Sequence, residues 1–375
     1  MPKKKEVNEA GVPDEVVSSL VKQLNKGHKS AYSFFEREDP SEIKQWISTG
    51  STLLDYAISN RRDGGIPYGR ITEINGLESS GKSLLSLHII ANAQKKGGMG
   101  VILDTEERLL DKAFLLRVGI DPRKLVINNP GSIEECFESI EDTVAFVRKT
   151  ESKKERPIVI VWDSLAVTPP KAELEGTYDP QSQMGLGAKA VARGIRKLTH
   201  TIGTENIALV IINQLKMNTK MANIYSDPYI TPYGKALPYA SSVRLRVTQG
   251  KKLKDSNEEI VGTLCNVKVI KNSLGPPNRQ VTFPLIFGYG VDNLQSIYDY
   301  LKDKGSIKKA SGTSKFSAGE FQGEFPHEKW KSYFADNQGV ILDHLEQLLV
   351  KRYEDINPEH ELDLTVDSSE VSSEV

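Results

Sequence analysis

The sequence predicts an α/β fold built on a mostly parallel, twisted sheet flanked by helices, and three observations carry that expectation. Ile158-Val159-Ile160-Val161-Trp162 and Ala208-Leu209-Val210-Ile211-Ile212 are nearly unbroken apolar runs, as expected of parallel strands covered on both faces. Stretches with helical apolar spacing separate such runs, so strands and helices alternate and the connections are right-handed crossovers. Gly76-Leu77-Glu78-Ser79-Ser80-Gly81-Lys82-Ser83 lies between a short strand over 70–74 and a helix that begins near Ser83. Doubly wound sheets place a glycine-rich turn of this spacing at a strand-to-helix junction.

The other elements follow along the chain. Residues 1–45 read as an N-terminal appendage in which Asp14 caps a helix through Val16, Val17, Leu20, Val21 and Leu24. One such helix cannot bury its apolar stripe alone. It docks either on its own body or on a neighbouring subunit, and the residues leave both open. The core spans 46–292, with a helix over 83–95 and a second strand over 100–104. Three later segments, 242–248, 264–271 and 280–285, alternate in polarity and sit close together, which predicts an antiparallel extension on one side of the sheet. Residues 293–353 predict a small C-terminal helical region, with a flexible linker over the Gly-, Ser- and Lys-rich stretch 308–323. Residues 354–375 are acidic, rich in Ser and free of Phe, Trp and Tyr, and predict a disordered tail.

Composition excludes some classes. The 375 residues are 38% hydrophobic and 26% charged, which is ordinary for a core-forming chain. The formal net charge of -1 means that any affinity for nucleic acid must be local. Cys136 and Cys265 have no His or Cys neighbour at metal-ligand spacing, and they read as buried thiols of a reducing compartment rather than a disulfide. The start, Met1-Pro2-Lys3-Lys4-Lys5, lacks a following apolar stretch, and no segment is apolar for long enough to span a membrane. A cytoplasmic protein is the expectation.

The glycine-rich turn carries the chemistry. Its backbone N–H groups and the positive end of the following helix suit a polyphosphate. Lys82 would reach the terminal phosphates and the Ser83 hydroxyl would ligate Mg²⁺. Asp163, at the tip of the run 158–162, faces the same crevice and suits a hold on the metal. Glu106, just past the strand 100–104, is the leading general-base candidate for activating a water. Together these residues predict a site that binds ATP and Mg²⁺ and hydrolyses the nucleotide.

Further blocks share an order and spacing: Thr49-Gly50-Ser51, Gly64-Gly65-Ile66-Pro67-Tyr68-Gly69-Arg70, Trp162-Asp163-Ser164-Leu165-Ala166, Thr168-Pro169-Pro170-Lys171-Ala172-Glu173-Leu174-Glu175-Gly176, Met184-Gly185-Leu186-Gly187-Ala188, Ile212-Asn213-Gln214-Leu215-Lys216-Met217 and Val269-Ile270-Lys271-Asn272. With the glycine-rich turn they cover roughly 45–292 and resemble the RecA family of DNA strand-exchange recombinases. The divergent ends point to a bacteriophage or other distant branch.

The resemblance implies a RecA-like P-loop ATPase core that assembles as a helical filament on single-stranded DNA, pairs it with homologous duplex and exchanges strands. By the same resemblance Gly76, Glu78, Ser79, Ser80, Gly81, Lys82 and Ser83 hold the nucleotide, and Glu106 activates the water. Asp111 and Phe114 contact adenine, and Gln214 senses the γ-phosphate. Lys271 binds the nucleotide across a subunit interface, where it or the nearby Arg279 neutralises the γ-phosphate. Two loops, 173–184 and 215–234, form the DNA grip, and Met184, Arg196, Lys216, Met217 and Gly234 fall where the family touches the single strand. The second loop also carries Asn218, Lys220, Met221, Tyr225, Tyr229 and Tyr233. Single-strand-binding and mediator proteins are implied as partners.

Two departures stand out: Ser273 replaces the family's second lysine, and 107–110 is one residue longer than the bacterial pattern. Two rival readings remain, a ring-forming helicase of related fold and an ATP-gated mediator with little turnover.

Overall fold

The computed structural model describes residues 14–26, 43, 45–107, 111–150, 156–176, 185–203, 205, 207–218 and 227–350. The tail 354–375 lies outside them. The chain divides into two compact units, 1–44 and 45 onward. In the first, α1 (Asp14–Leu24) is amphipathic, and its Val16, Leu20 and Leu24 are exposed.

In the second unit, α2 (Thr52–Ser59) starts at Ser51, whose side chain accepts a hydrogen bond from the Leu54 N–H. The large sheet contains β1 (Ile71–Gly76), β2 (Met99–Asp104), β3 (Leu125–Asn128), β4 (Ile158–Asp163), β5 (Ile207–Gln214), β6 (Val243–Lys254), β7 (Ile260–Asn272), β8 (Gln280–Ile286) and β9 (Gly290–Val291). Their spatial order is β9-β8-β7-β6-β1-β5-β4-β2-β3. The strands from β6 to β3 run parallel, and β7, β8 and β9 continue the sheet antiparallel.

One strand differs from expectation. The segment 242–248 is not antiparallel to the core, because the short helix Ala236–Ala240 returns the chain to the start of β1. There the Ser242 N–H donates to Ile71 O at 2.9 Å, and β6 runs alongside β1 before turning into the hairpin with β7.

Helices α3 (Lys82–Lys95), α4 (Lys112–Val118), α5 (Ile133–Thr150) and α6 (Leu186–Gly203) connect these strands. Every residue of β4 is buried, which is why its sequence is almost purely apolar. Trp162 lies beneath α5 and α6, with the Phe137 ring edge-on at 5.3 Å between centroids. Cys136 and Cys265 are buried free thiols; burial raises the pKa of both, that of Cys265 to about 12.

The C-terminal region corrects the expectation of helices joined by a flexible linker. After α7 (Asn293–Asp303) the stretch 308–323 belongs to a three-stranded antiparallel sheet, β10 (Ile307–Lys309), β11 (Thr313–Ala318) and β12 (Phe321–Pro326), followed by α8 (Trp330–Asp336) and α9 (Gln338–Leu349). Ser314 and Phe316 point inward while Lys315 and Ser317 point outward, so the polar composition hides a period of two. Gly312 and Gly319 occupy left-handed turns between the strands. Phe316, Phe325, Trp330, Ile341 and Leu345 form the core of this lobe, and Leu53 of α2 is part of the same cluster.

His88 ties α3, the helix after the glycine-rich turn, to the sheet edge, its Nε2 accepting the Val291 N–H at 3.0 Å. That bond requires a neutral ring. Burial, aided by the charge on Lys95, pushes the His88 pKa down to about 4 from an ordinary 6.5. The unfolded chain therefore binds the proton first as pH falls. The stability from this contact is fully present above about pH 6.5 and is lost progressively as pH falls toward 4. Chemical denaturation should show a loss of about 2–3 kcal/mol between pH 7 and pH 4.5 that is absent in His88→Asn.

Candidate nucleotide and DNA site

Because β1, β5, β4 and β2 are parallel, their C-terminal ends come out on one edge of the sheet. Gly76 pairs with Gln214, and Asp104 pairs with Asp163. Such an edge is where open α/β sheets bind ligands.

Gly76 has no room for a side chain, since a Cβ there would stand 2.3 Å from Val247 O. The turn closes at Gly81, which takes φ +98° and caps α3. Glu78 and Ser79 are exposed on the turn and Ser80 is buried beneath it, where its carbonyl accepts the Cys265 thiol at 3.7 Å. Lys82 curls back so that its Nζ donates to Leu77 O at 2.7 Å. Ser83, half-buried, follows it in the first turn of α3.

Glu106 is the meeting point of the edge. Its Oε1 accepts the Ser164 hydroxyl at 2.7 Å and the Gln214 Nε2 at 3.1 Å. The Asp104 carboxylate receives the Glu106 N–H at 3.2 Å and so holds the turn that presents this glutamate. Asp163 is buried beside it at the tip of β4. Behind them, Ser164 N–H donates to Thr105 Oγ1 at 3.0 Å, and the Trp162 indole donates to Thr168 Oγ1 at 3.0 Å.

The other predicted residues are more scattered. Asp111 is exposed and caps α4, its carboxylate accepting the N–H groups of Ala113 and Phe114; Phe114 is half-buried on the same turn. Lys271 pairs across the sheet with Arg244, whose partner on β1 is Glu73, three residues before Gly76. Its Nζ donates to the carbonyls of Pro238 and Tyr239 rather than toward the glycine-rich turn of its own chain.

Lys216 and Met217, separated from Gln214 by the buried Leu215, form a two-residue antiparallel ribbon with Tyr229 and Ile230, so the described ends of the second loop are ordered. Met217 is 73% exposed at the ribbon surface. Asp227 pairs with Arg246 of β6 at 2.7 Å, which fastens the ribbon to the sheet. Gly234 ends the loop at φ +77°. Arg196 is exposed on α6, whereas Met184 lies outside the described residues.

Two groups escaped the sequence reading. Ser164 proves to be a direct partner of Glu106. Lys189 and Arg193 are exposed on α6 together with Arg196, a basic stripe whose signal in the sequence is the i, i+4, i+7 spacing. Among the described residues no group of three or more His, Cys, Asp or Glu side chains is arranged to hold a metal by itself.

Fold and site together define a doubly wound α/β protein with a glycine loop, a buried carboxylate and a held glutamate at the head of its parallel strands. The RecA N-terminal domain model matches residues 15–292. Among curated proteins, the chain is similar to Protein RecA of Chloroherpeton thalassium, 40% identical over 295 residues that cover 78% of this chain and 77% of the relative. Protein RecA of Chlorobium chlorochromatii is 38% identical over 310 residues, 81% and 82% of the two chains. That of the Wolbachia of Brugia malayi is 36% identical over 328 residues, 87% and 86%. The chain belongs to the RecA family of recombinases.

Gly76→Ala would drive its methyl group into the Val247 carbonyl, and is expected to destabilise the protein by about 1–3 kcal/mol, read as a lower midpoint in thermal denaturation.

Proposed function

We propose that this chain is an ATP-dependent homologous recombinase that forms a helical filament on single-stranded DNA, pairs it with homologous duplex and promotes strand exchange, with DNA-stimulated hydrolysis of ATP. The observation that carries the reading is the shared Glu106 oxygen. A glutamate fit to activate water is bonded to Gln214, the last residue of β5, and the exposed ribbon of the second loop begins two residues later.

The residues at the sheet edge fit a magnesium-bound triphosphate. The loop opens at a glycine pressed against the neighbouring strand, Lys82 reaches back over it to Leu77 O, Ser83 follows it, and the buried Asp163 ends a parallel strand of the same sheet. When bound, Mg²⁺ supplies positive charge to the β- and γ-phosphates. Ser83 and Asp163 are the residues to hold it. Lys82 exchanges Leu77 O for phosphate oxygens, and Glu106 orients a water and takes its proton as the water attacks the γ-phosphorus. Gln214 moves between Glu106 and the phosphate, and the ribbon after it moves too. Asp111 and Phe114 flank the base.

On the DNA side, Arg196 and Lys216 take phosphates, joined by Lys189 and Arg193, and the backbone at Gly234 adds donors. Met217 and Met184 wedge between bases. Sequence-independent contacts of this kind leave homology to be read by base pairing.

Filament growth is supported by two exposed apolar surfaces, the stripe Val16, Leu20 and Leu24 on α1 and the edge strand β3, where Val126 and Ile127 are exposed and Val126 lines one cleft with Phe146. A head-to-tail contact between unlike patches builds an open helical filament when its rotation does not close into a ring. Lys271 would face the neighbour's nucleotide across that contact, with Ser273 in place of a second charge. Among the described residues no helix is long and apolar enough to cross a membrane. A cytoplasmic filament that works with single-strand-binding and mediator proteins completes the reading.

Strand exchange between homologous single- and double-stranded DNA, with ATP and Mg²⁺, tests the whole. The wild-type protein is expected to exchange strands and Lys82→Ala is not; hydrolysis without exchange would favour a translocating helicase. Glu106→Gln is expected to retain ATP binding in a filter or fluorescence assay and to lose about 10²–10⁴-fold in turnover.

A further inference from the structure

Tyr233 does something that a DNA grip does not explain. It closes the second loop, yet its ring turns inward against the cluster of Trp162, Leu165, Val191 and Leu237. Its hydroxyl donates to Thr168 O at 2.9 Å. Burial, with a smaller push from the Glu173 charge, raises its pKa, so the hydroxyl keeps its proton and remains a donor. The ring lies against Gly187 in the first turn of α6, where a Cβ would come within 2.1 Å of the ring Cε1. Tyr233 itself adopts φ +62°, a conformation that few residues other than glycine take.

One side chain therefore joins three loop ends. It sits at the close of the second loop, bonds the residue that leads through Pro169 and Pro170 into the first loop, and covers the helix turn where the first loop ends. Thr168 in turn belongs to the segment that holds Glu106. Its hydroxyl lies 2.8 Å from Ser164 O and 3.0 Å from Thr105 Oγ1, and Thr105 Oγ1 accepts the Ser164 N–H. Ser164 Oγ holds the Glu106 carboxylate. The path from Tyr233 to Glu106 runs through one short buried segment and never passes through Gln214.

We propose that Tyr233 is a positioning residue that couples both DNA loops to the Glu106 carboxylate through the Thr168–Ser164 segment, alongside the Gln214 route. The proposal rests on the recombinase reading. When the loops take up DNA, displacement of Tyr233 shifts the Thr168 carbonyl and, with it, the hydroxyl that shares Glu106. Both routes act on the same carboxylate oxygen, so loop position sets whether Glu106 is held by protein donors or turned to water.

Tyr233→Phe keeps the ring over Gly187 and removes the hydroxyl. Its ATP turnover would be measured on the full chain with and without single-stranded DNA, beside a thermal melt. The unfolding midpoint should fall by no more than about a few degrees, the loss of one hydrogen bond, and the DNA-free kcat and the KM for ATP should stay within about twofold, while the DNA-stimulated kcat falls about fivefold or more. Gly187→Ala, which forces the ring off the helix, should give a similar loss, and combining the two should add little because both cut one path. Full stimulation in Tyr233→Phe would overturn the proposal. So would an equal fall in DNA-free turnover, which marks a merely structural role. A wild-type protein whose hydrolysis ignores single-stranded DNA would overturn the recombinase reading and this coupling together, and the wild-type control alone reveals it.

Discussion

A single carboxylate oxygen of Glu106 receives hydrogen bonds from Ser164 and from Gln214, and the geometry of the sheet exists around that meeting. The three residues follow β2, follow β4 and end β5, segments far apart in the chain. They converge because these strands are parallel and end at the same level, so the edge gathers what the sequence scatters. An antiparallel arrangement would send alternate strand ends to opposite edges and would separate the glutamate from at least one of its donors. A carboxylate with two donors on one oxygen is held in a single orientation without being sealed from a third partner. The site can thus be ordered before any ligand arrives.

Register among the central strands is fixed by buried polar groups as well as by apolar packing. Glu73, fully buried on β1, pairs with Arg244 of β6 and accepts the Asn213 amide of β5 at 3.2 Å. Three adjacent strands are pinned by one carboxylate, and a slip by one residue would leave a buried charge without its partner, a cost of several kcal/mol. Arg246 extends the same logic outward, reaching Asn75 on β1 while pairing with Asp227 at the foot of the loop ribbon. The strand that leads into the glycine turn and the loop that faces solvent are therefore tied to a common neighbour, β6.

The sequence made the central strands and the glycine turn readable for a plain reason. Strands covered on both faces need apolar side chains at every position, and a turn without room for Cβ needs glycine. Glu106 was found from its place beside the glycine turn and Gln214 through the resemblance; their contact could not be, because adjacency between residues 108 positions apart leaves no local pattern. Ser164 was passed over because a serine after a strand looks like any helix-capping residue. The three-stranded sheet of the C-terminal lobe was misread because its inward positions, Ser314 and Phe316, alternate with Lys315 and Ser317 in a stretch whose composition is that of a linker. The direction of β6 was misread because alternation in polarity reports a half-covered strand without reporting which neighbour it pairs with first.

Leu53 of α2 is buried among side chains of the C-terminal lobe, and the Asn293 side chain accepts the Thr52 N–H at 2.8 Å while donating to the Thr52 hydroxyl at 2.9 Å. The apparent seam near Asp292, where the family's N-terminal domain stops, is thus crossed by both an apolar contact and a paired amide. A fragment cut there would expose the leucine and leave the Thr52 N–H, at the start of α2, without its side-chain acceptor in the same stroke. Dissection of this protein into a catalytic piece and an appendage has no clean place to fall, and the lobe is better regarded as the last layer of the core than as a module hung from it.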